Sequence, residues 1–220
     1  MTQPNLETPA RTRLLEAAII CFAEKGFDAT GIREIALKAK ANSALVQYYF
    51  GGKTGLYAAA LGHIFSCHPL HIPARPEGIE PPNARTDAIH SLGAMVETLL
   101  EELLACRDGS ELDRAAHFLV TREMNSPRVD VATLIVDHMR PYTDLMQACL
   151  KVLRPDLDWL QAMDYTHSIF AQVVHLHHNL PLIRMLRNEP DYPQDLKAVA
   201  RHITEFSLRG IGIPEAFPGA

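Results

Sequence analysis

Ser43, Ala44, Gln47 and Tyr48 fall close together on what the spacing predicts to be a short helix, where they present a small, polar and aromatic face. A face of this kind, lifted over a packed partner, suits insertion into the major groove of duplex DNA. Val46 and Phe50, four residues apart, turn inward from the same helix. Histidine supplies the second set of candidates. His167, Ala171, Val174 and His178 share one face of a later helix, and His175 neighbours His178 at i+3. Two imidazoles on one face can hold a metal ion. No Cys/Asp/Glu set at ligand spacing joins them, and packing or a dimer surface accounts for them as well, so no metal and no cofactor is assigned. An enzyme or metal-binding helical protein built on His167, His175 and His178 is the alternative reading. The sequence offers it no nucleophile–base pairing, Gly-rich phosphate loop or paired-carboxylate motif.

The DNA-facing candidates need a rigid mount, and the stretch TGIREIALKAKANSALVQYYFGGKTGL, residues 30–56, supplies one. Thr30 is expected to cap a first helix carrying Ile32, Ile35, Ala36 and Ala39 on one apolar face. Lys40-Ala41-Asn42 makes the turn, and Asn42 caps the second helix, which runs to about Tyr49. After the Gly51-Gly52 hinge, Lys53 opens a linking helix through Leu56, Ala60, Ile64 and Phe65. Upstream, Thr8-Pro9 starts a helix with the stripe Leu15, Ala18, Ile19 and Phe22, and Gly26 stops it.

The run NSALVQYYFGGKTGLY, residues 42–57, resembles the recognition helix and exit of TetR-type transcriptional repressors. RLLEAAIICFAEKGF, residues 13–27, resembles that family's first helix, and Thr30-Gly-Ile-Arg-Glu-Ile-Ala its second. The resemblance implies that Ser43, Ala44 and Gln47 approach base edges. Gln47 could then pair bidentately with an adenine and Ala44 touch a thymine methyl, contacts that discriminate bases by ~1–3 kcal/mol. It further places Thr30, Tyr48, Tyr49 and Lys53 at backbone-contacting positions. Lys53 also stands at a helix start, where free N–H groups attract phosphate. Arg33 lies near the reader, within range of phosphate or base. The chain departs from the family's usual run with Gln47 where an aromatic is common and Leu45 where a small polar residue is common.

A net charge of -5 looks unsuited to DNA until it is divided. Residues 1–60 carry seven Lys/Arg against five acids, and the remainder carries a balance of -7. Because attraction to phosphate is screened beyond a Debye length of ~8 Å, the local sign governs, and the acidic part should point away from DNA. No apolar run reaches the length of a membrane span, and the start MTQPNLETPARTR has no signal-peptide core, so the expected compartment is the cytoplasm and no membrane is involved. Cys21, Cys67, Cys106 and Cys149 are scattered and read as reduced thiols filling apolar space.

From His68 to Arg85 the text holds five prolines and no helical period, which marks a connector. Everything after it is helical in pattern. One helix is lined by Ile89, Leu92, Val96, Leu99 and Leu103; a second is capped by Ser110 and stops at Asn125-Ser126-Pro127; a third continues in phase through Pro141. Leu157 to Leu180 is expected to end where Pro181 bends the chain, and a last helix stops at Gly210. The fold class is therefore all-α: an N-terminal three-helix helix-turn-helix DNA-binding domain (residues 1–56, linking helix 53–67) and a helical bundle over residues 68–220.

The region from Arg122-Glu-Met-Asn-Ser-Pro through Arg140-Pro-Tyr to Phe206-Ser-Leu-Arg-Gly-Ile resembles the C-terminal domain of CecR-like members of the family. That implies effector binding and dimerisation without naming the effector. A pocket is expected with Phe118, Met139, Tyr142, Trp159 and Phe170 as wall and His117, Arg122 and His167 as polar anchors. The expected partners are a double-stranded DNA operator, a small-molecule effector and a second copy of the chain. The homodimer would pair through residues 157–180 and 193–208.

Overall fold

The computed structural model describes residues 9–67 and 84–213. The connector expected at His68–Arg85 and the chain beyond Ile213 therefore lie largely outside the described residues. Among these residues there are nine helices and no strand: α1 (Pro9–Ala29), α2 (Ile32–Lys38), α3 (Ala44–Phe50), α4 (Lys53–Cys67), α5 (Ala84–Asp108), α6 (Glu111–Asn125), α7 (Ala132–Leu153), α8 (Trp159–Arg187) and α9 (Leu196–Gly210). None is long and apolar enough to cross a membrane.

Two compact units emerge, and they do not follow the division expected at residue 68. One joins Met1–Pro69 to Cys106–His138; the other joins Leu70–Ala105 to Met139–Ala220. The reason is apolar burial. Ala116 and Leu119 of α6 and Val131 belong to the same buried cluster as Leu15, Phe22, Leu56 and Leu61 of α1 and α4. The second unit has its own core, in which Leu92, Met95 and Val96 of α5 meet Met146 and Leu150 of α7, Val173 of α8 and Ile203 of α9.

Local signals explain most boundaries. Gly26 takes φ 80 and ψ 171, so the helical path of α1 breaks there as expected, although helix resumes to Ala29. Ser110 accepts from the Asp113 backbone N–H and the Asp113 side chain accepts from the Ser110 N–H, a capping box that starts α6. Asp158 and Gln161 make the same reciprocal pair at the start of α8. The expected end of that helix at Leu180 is corrected. Pro181 sits inside α8, which continues to Arg187 and closes at Asn188 in the left-handed conformation. Proline removes one N–H and crowds one carbonyl, and the buried residues before it, Leu176, His177 and Leu180, hold the helix in register. Pro141 is likewise internal to α7, as the continuous phase predicted.

Candidate nucleic-acid interface

The candidate reader is built from the long α1 and the short α2 and α3 in the first unit. Ile35, Ala36 and Ala39 bury the inner face of α2, and Val46 anchors α3 with none of its surface exposed. Between them Lys40 adopts a left-handed φ of 48, which turns the chain sharply. The Asn42 side chain then accepts from the Ala44 N–H at 2.9 Å, which satisfies one of the free donors that open α3. Arg13 of α1 donates to the Ala39 carbonyl at 3.1 Å and ties the turn to the platform. Exposed ion pairs of Lys25 with Glu34 and Lys38 with Glu24 also join α1 to α2. The Lys25 ammonium, hydrogen-bonded to Glu34, holds that carboxyl below its ordinary range.

This mounting leaves Ser43, Ala44, Gln47 and Tyr48 exposed on one side of α3, with Tyr48 at 79% of its full exposure. Arg33 and Lys40 are exposed on the adjoining surface. Tyr49 is half-buried, packed on the first core and edge-on to Tyr48 at 5.0 Å between ring centroids. It therefore supports the ring beside it as well as offering its own edge.

Two members of the expected set are placed differently. Thr30 does not cap α2; Gly31 stands at that position without a side-chain cap. Thr30 is 1% exposed, and its hydroxyl reaches the Gly26 carbonyl at 2.6 Å and the Cys21 carbonyl at 3.1 Å. Its side chain is thus a brace for the end of α1, where the helical path is interrupted at Gly26. Lys53 donates to the Asp28 carbonyl at 3.1 Å and lies 4.7 Å from the centroid of the Phe27 ring. One of its three donors is spent on α1, and the rest of the ammonium is available to phosphate.

Sequence reasoning missed the residues that fix this mount from α6. Arg122 donates to the Phe22 carbonyl at 2.9 Å and the Ala23 carbonyl at 2.8 Å, capping the last regular turn of α1. Expected as a pocket anchor, Arg122 has its guanidinium placed against the end of α1 by these two bonds. Glu123 is 2% exposed, yet it accepts from the Tyr57 hydroxyl of α4 and from the Arg128 N–H at 3.0 Å. Burial, then the bonded Glu123 carboxylate, pushes the Tyr57 hydroxyl well above its ordinary value. The Arg128 guanidinium lies 3.8 Å from the Phe27 centroid, so Phe27 meets two cations, from α4 and from the segment after α6. A charged pair, Arg122-Glu123, on an otherwise amphipathic helix was the available sequence signal.

The remaining pocket candidates are dispersed. His117 and Phe118 belong to the first unit, Phe118 being 55% exposed beneath the Arg122 guanidinium. In the second unit Tyr142 is buried, donates to the Met95 carbonyl at 3.2 Å, and faces Phe170 at 6.3 Å. Met139 is half-buried, His167 exposed, and Trp159 60% exposed at the start of α8. An open cleft of ≈ 380 Å³ between α8 and α9, lined among others by Gln172, His175, Tyr192 and His202, contains none of the expected residues. The histidine trio does not converge either. His167 and His178 are separated by three turns of α8, about 16 Å along its axis, too far for one ion.

Comparison with known proteins fits this geometry. Residues 14–60 match the family described as bacterial regulatory proteins of the tetR family, and residues 88–211 match the C-terminal domain of the HTH-type transcriptional dual regulator CecR. The chain is 29% identical over 137 residues to the HTH-type transcriptional regulator HbdR of Aromatoleum sp. (strain CIB), a match covering 62% of this chain. It spans about half, 54%, of that relative's own length. A TetR-like transcriptional regulator from Rhodococcus sp. RHA1 superposes with a TM-score of 0.60 at 17% identity, over 94% of this chain and 99% of that one. AibR, solved in complex with isovaleryl coenzyme A and operator DNA, superposes with a TM-score of 0.59 at 13% identity, over 90% of this chain and 97% of that one. Both family matches are to regulators, which removes the enzymatic alternative built on the α8 histidines. With these matches over both of its parts, the chain belongs to the TetR family of DNA-binding transcriptional regulators and carries a CecR-type C-terminal domain.

Proposed function

We propose that this chain is a ligand-responsive repressor that holds a near-palindromic operator as a homodimer and is released by a small organic effector, acting in the cytoplasm. The observation that carries the reading is the α3 surface. Ser43, Ala44, Gln47 and Tyr48 are exposed together while Val46 behind them is fully buried. Two such readers would enter successive major grooves ~34–36 Å apart if the half-sites lie one helical turn from each other. Pairing would use α8 and α9, where Leu160 and Phe206 remain 65% and 64% exposed. The effector would bind in the CecR-type region and bias the reader through α6, which is seated on α1 and α4 by Arg122 and Glu123. For a tenfold loss of operator affinity the coupling need be only ~1.4 kcal/mol.

The test is binding to promoter fragments from the protein's own genomic neighbourhood across a salt series. Gln47→Ala should relax sequence preference. Lys53→Ala should weaken binding to every sequence and lower the salt slope by about one. Binding that ignores salt, or a Gln47→Ala protein with unchanged operator selectivity, would refute the assignment of the reader.

A further inference from the structure

The four cysteines do not share one environment. Cys21 and Cys149 are buried, as expected of apolar fillers, but Cys67 is exposed at the end of α4. One turn earlier, His63 faces it: the Cys67 Sγ lies 3.7 Å from His63 Nε2 and 3.9 Å from Nδ1. Zinc-type ions bind thiolate at ~2.3 Å and imidazole at ~2.0–2.1 Å, so two tetrahedral ligands of this kind stand ~3.6 Å apart. The helix turn holds the two side chains within that span, and because Sγ is nearly equidistant from both ring nitrogens, a rotation of the imidazole about its Cβ–Cγ bond is what turns the Nε2 lone pair toward a shared ion. The scaffold beneath is preformed, because Leu61 and Ile64 anchor this turn in the first core and Ser66 donates to the Gly62 carbonyl at 2.8 Å.

We propose that His63 and Cys67 form a two-ligand site for a thiophilic divalent cation such as zinc. Binding replaces the thiol proton, which leaves to solvent, with a sulfur–metal bond; the imidazole gives the second bond and water completes the tetrahedron. No electron is transferred. The site is about 20 Å along α4 from Lys53, so occupancy leaves the reader's own contacts untouched. It is independent of how the operator or effector is assigned.

The test adds cobalt(II), then competing zinc, to the reduced full chain. The expected result is one ion per chain with a sulfur-to-cobalt charge-transfer absorption that zinc abolishes. Cys67→Ser should remove the band, and His63→Ala should weaken cobalt binding by about tenfold or more. Circular dichroism of both variants checks that they are folded. In the unsubstituted chain, zinc should slow alkylation of Cys67 as followed by mass spectrometry. The proposal is overturned by absence of the band, by a band that survives Cys67→Ser, by unchanged affinity in His63→Ala, or by alkylation that zinc does not slow.

Discussion

Replacing Gly55 by alanine should destabilise the first unit, while the same replacement at Gly62, two turns along the same helix, should stabilise it. Gly51 and Gly52 take φ values of 70 and 118, folding the chain back so that the first turn of α4 passes the end of α3. A Cβ at Gly55 would lie 1.8 Å from the Phe50 carbonyl oxygen and 3.0 Å from its carbon. Relief demands a main-chain shift of more than 1 Å, because no side-chain rotation moves a carbonyl. Alanine gains ~1 kcal/mol over glycine in a helix interior. Against this, overpacking costs ~1–3 kcal/mol, with the upper half of that range expected where the obstacle is backbone. The net for Gly55→Ala is a loss of about 1–2 kcal/mol, obtained by setting these two magnitudes against each other. At Gly62 nothing lies within 4 Å of the added Cβ, so only the propensity gain of about 0.5–1 kcal/mol remains. Urea unfolding followed by far-ultraviolet circular dichroism gives both signs in one series. Operator titration should show weaker binding for Gly55→Ala alone, since the displaced carbonyl belongs to the reading helix. A Gly55→Ala protein as stable as Gly62→Ala would refute the close approach and with it the fixed exit of α3.

Arg122→Ala should cost about 1.5–3 kcal/mol in urea unfolding, because two charge-assisted bonds to Phe22 and Ala23 are lost; Arg122→Lys should recover only part of it. Thr30→Val should cost about 1 kcal/mol yet leave the salt slope of DNA binding unchanged, whereas a phosphate contact would lower that slope. Tyr57 and Tyr142 both have pKa values raised above the ordinary 10.0, Tyr57 by burial and Glu123, and Tyr142 by burial and Glu102. The folded state therefore keeps protons that the unfolded chain releases, so stability present below pH 10 should fall as pH rises beyond it. Unfolding midpoints across that range should show a shallower fall in Tyr57→Phe. Asp156 is held down to about 2 by its hydrogen bonds from Arg154; in Arg154→Ala its carboxyl should titrate near the ordinary 3.8, as nuclear magnetic resonance would show.

Elements whose signals are local were legible in the sequence. Ser110 stands before an amphipathic run with an acid three residues on, and the resulting cap depends on nothing farther away. The exposed face of α3 was legible for the same reason, since its two inward positions are set by helical period alone. Thr30 was misread because a threonine before a helix is ordinarily its cap. Here the break at Gly26 leaves nearer acceptors, and the hydroxyl turns back to them. Pro181 was misread because proline ends isolated helices, while burial of Leu176, His177 and Leu180 holds this one together. Arg122 and Tyr142 looked like pocket residues because a mixed apolar and polar set has no direction in a sequence. Their partners, at Phe22 and Met95, are separated from them by long stretches of chain.

Under the proposed effector control, the same long-range contacts limit how a signal can reach the proposed reader. Arg122 and Glu123 lie within the CecR-type match, yet they are bonded to α1 and α4, within the tetR-type match. A carboxylate as enclosed as Glu123 needs its partners. Leaving it without the Tyr57 hydroxyl would cost about 1–3 kcal/mol. That range spans the ~1.4 kcal/mol of coupling that lowers operator affinity tenfold and reaches about twice it. An effector that worked by tearing α6 from α4 would spend on the carboxylate's lost Tyr57 partner a free energy comparable to that of releasing DNA, even with the Arg128 N–H still bonded. Moving α6, α1 and α4 together, with Arg122 and Glu123 still bonded, is the lower-energy route. It follows that Glu123→Gln, which can still accept from Tyr57 but no longer carries charge, should preserve the response to effector better than Glu123→Ala.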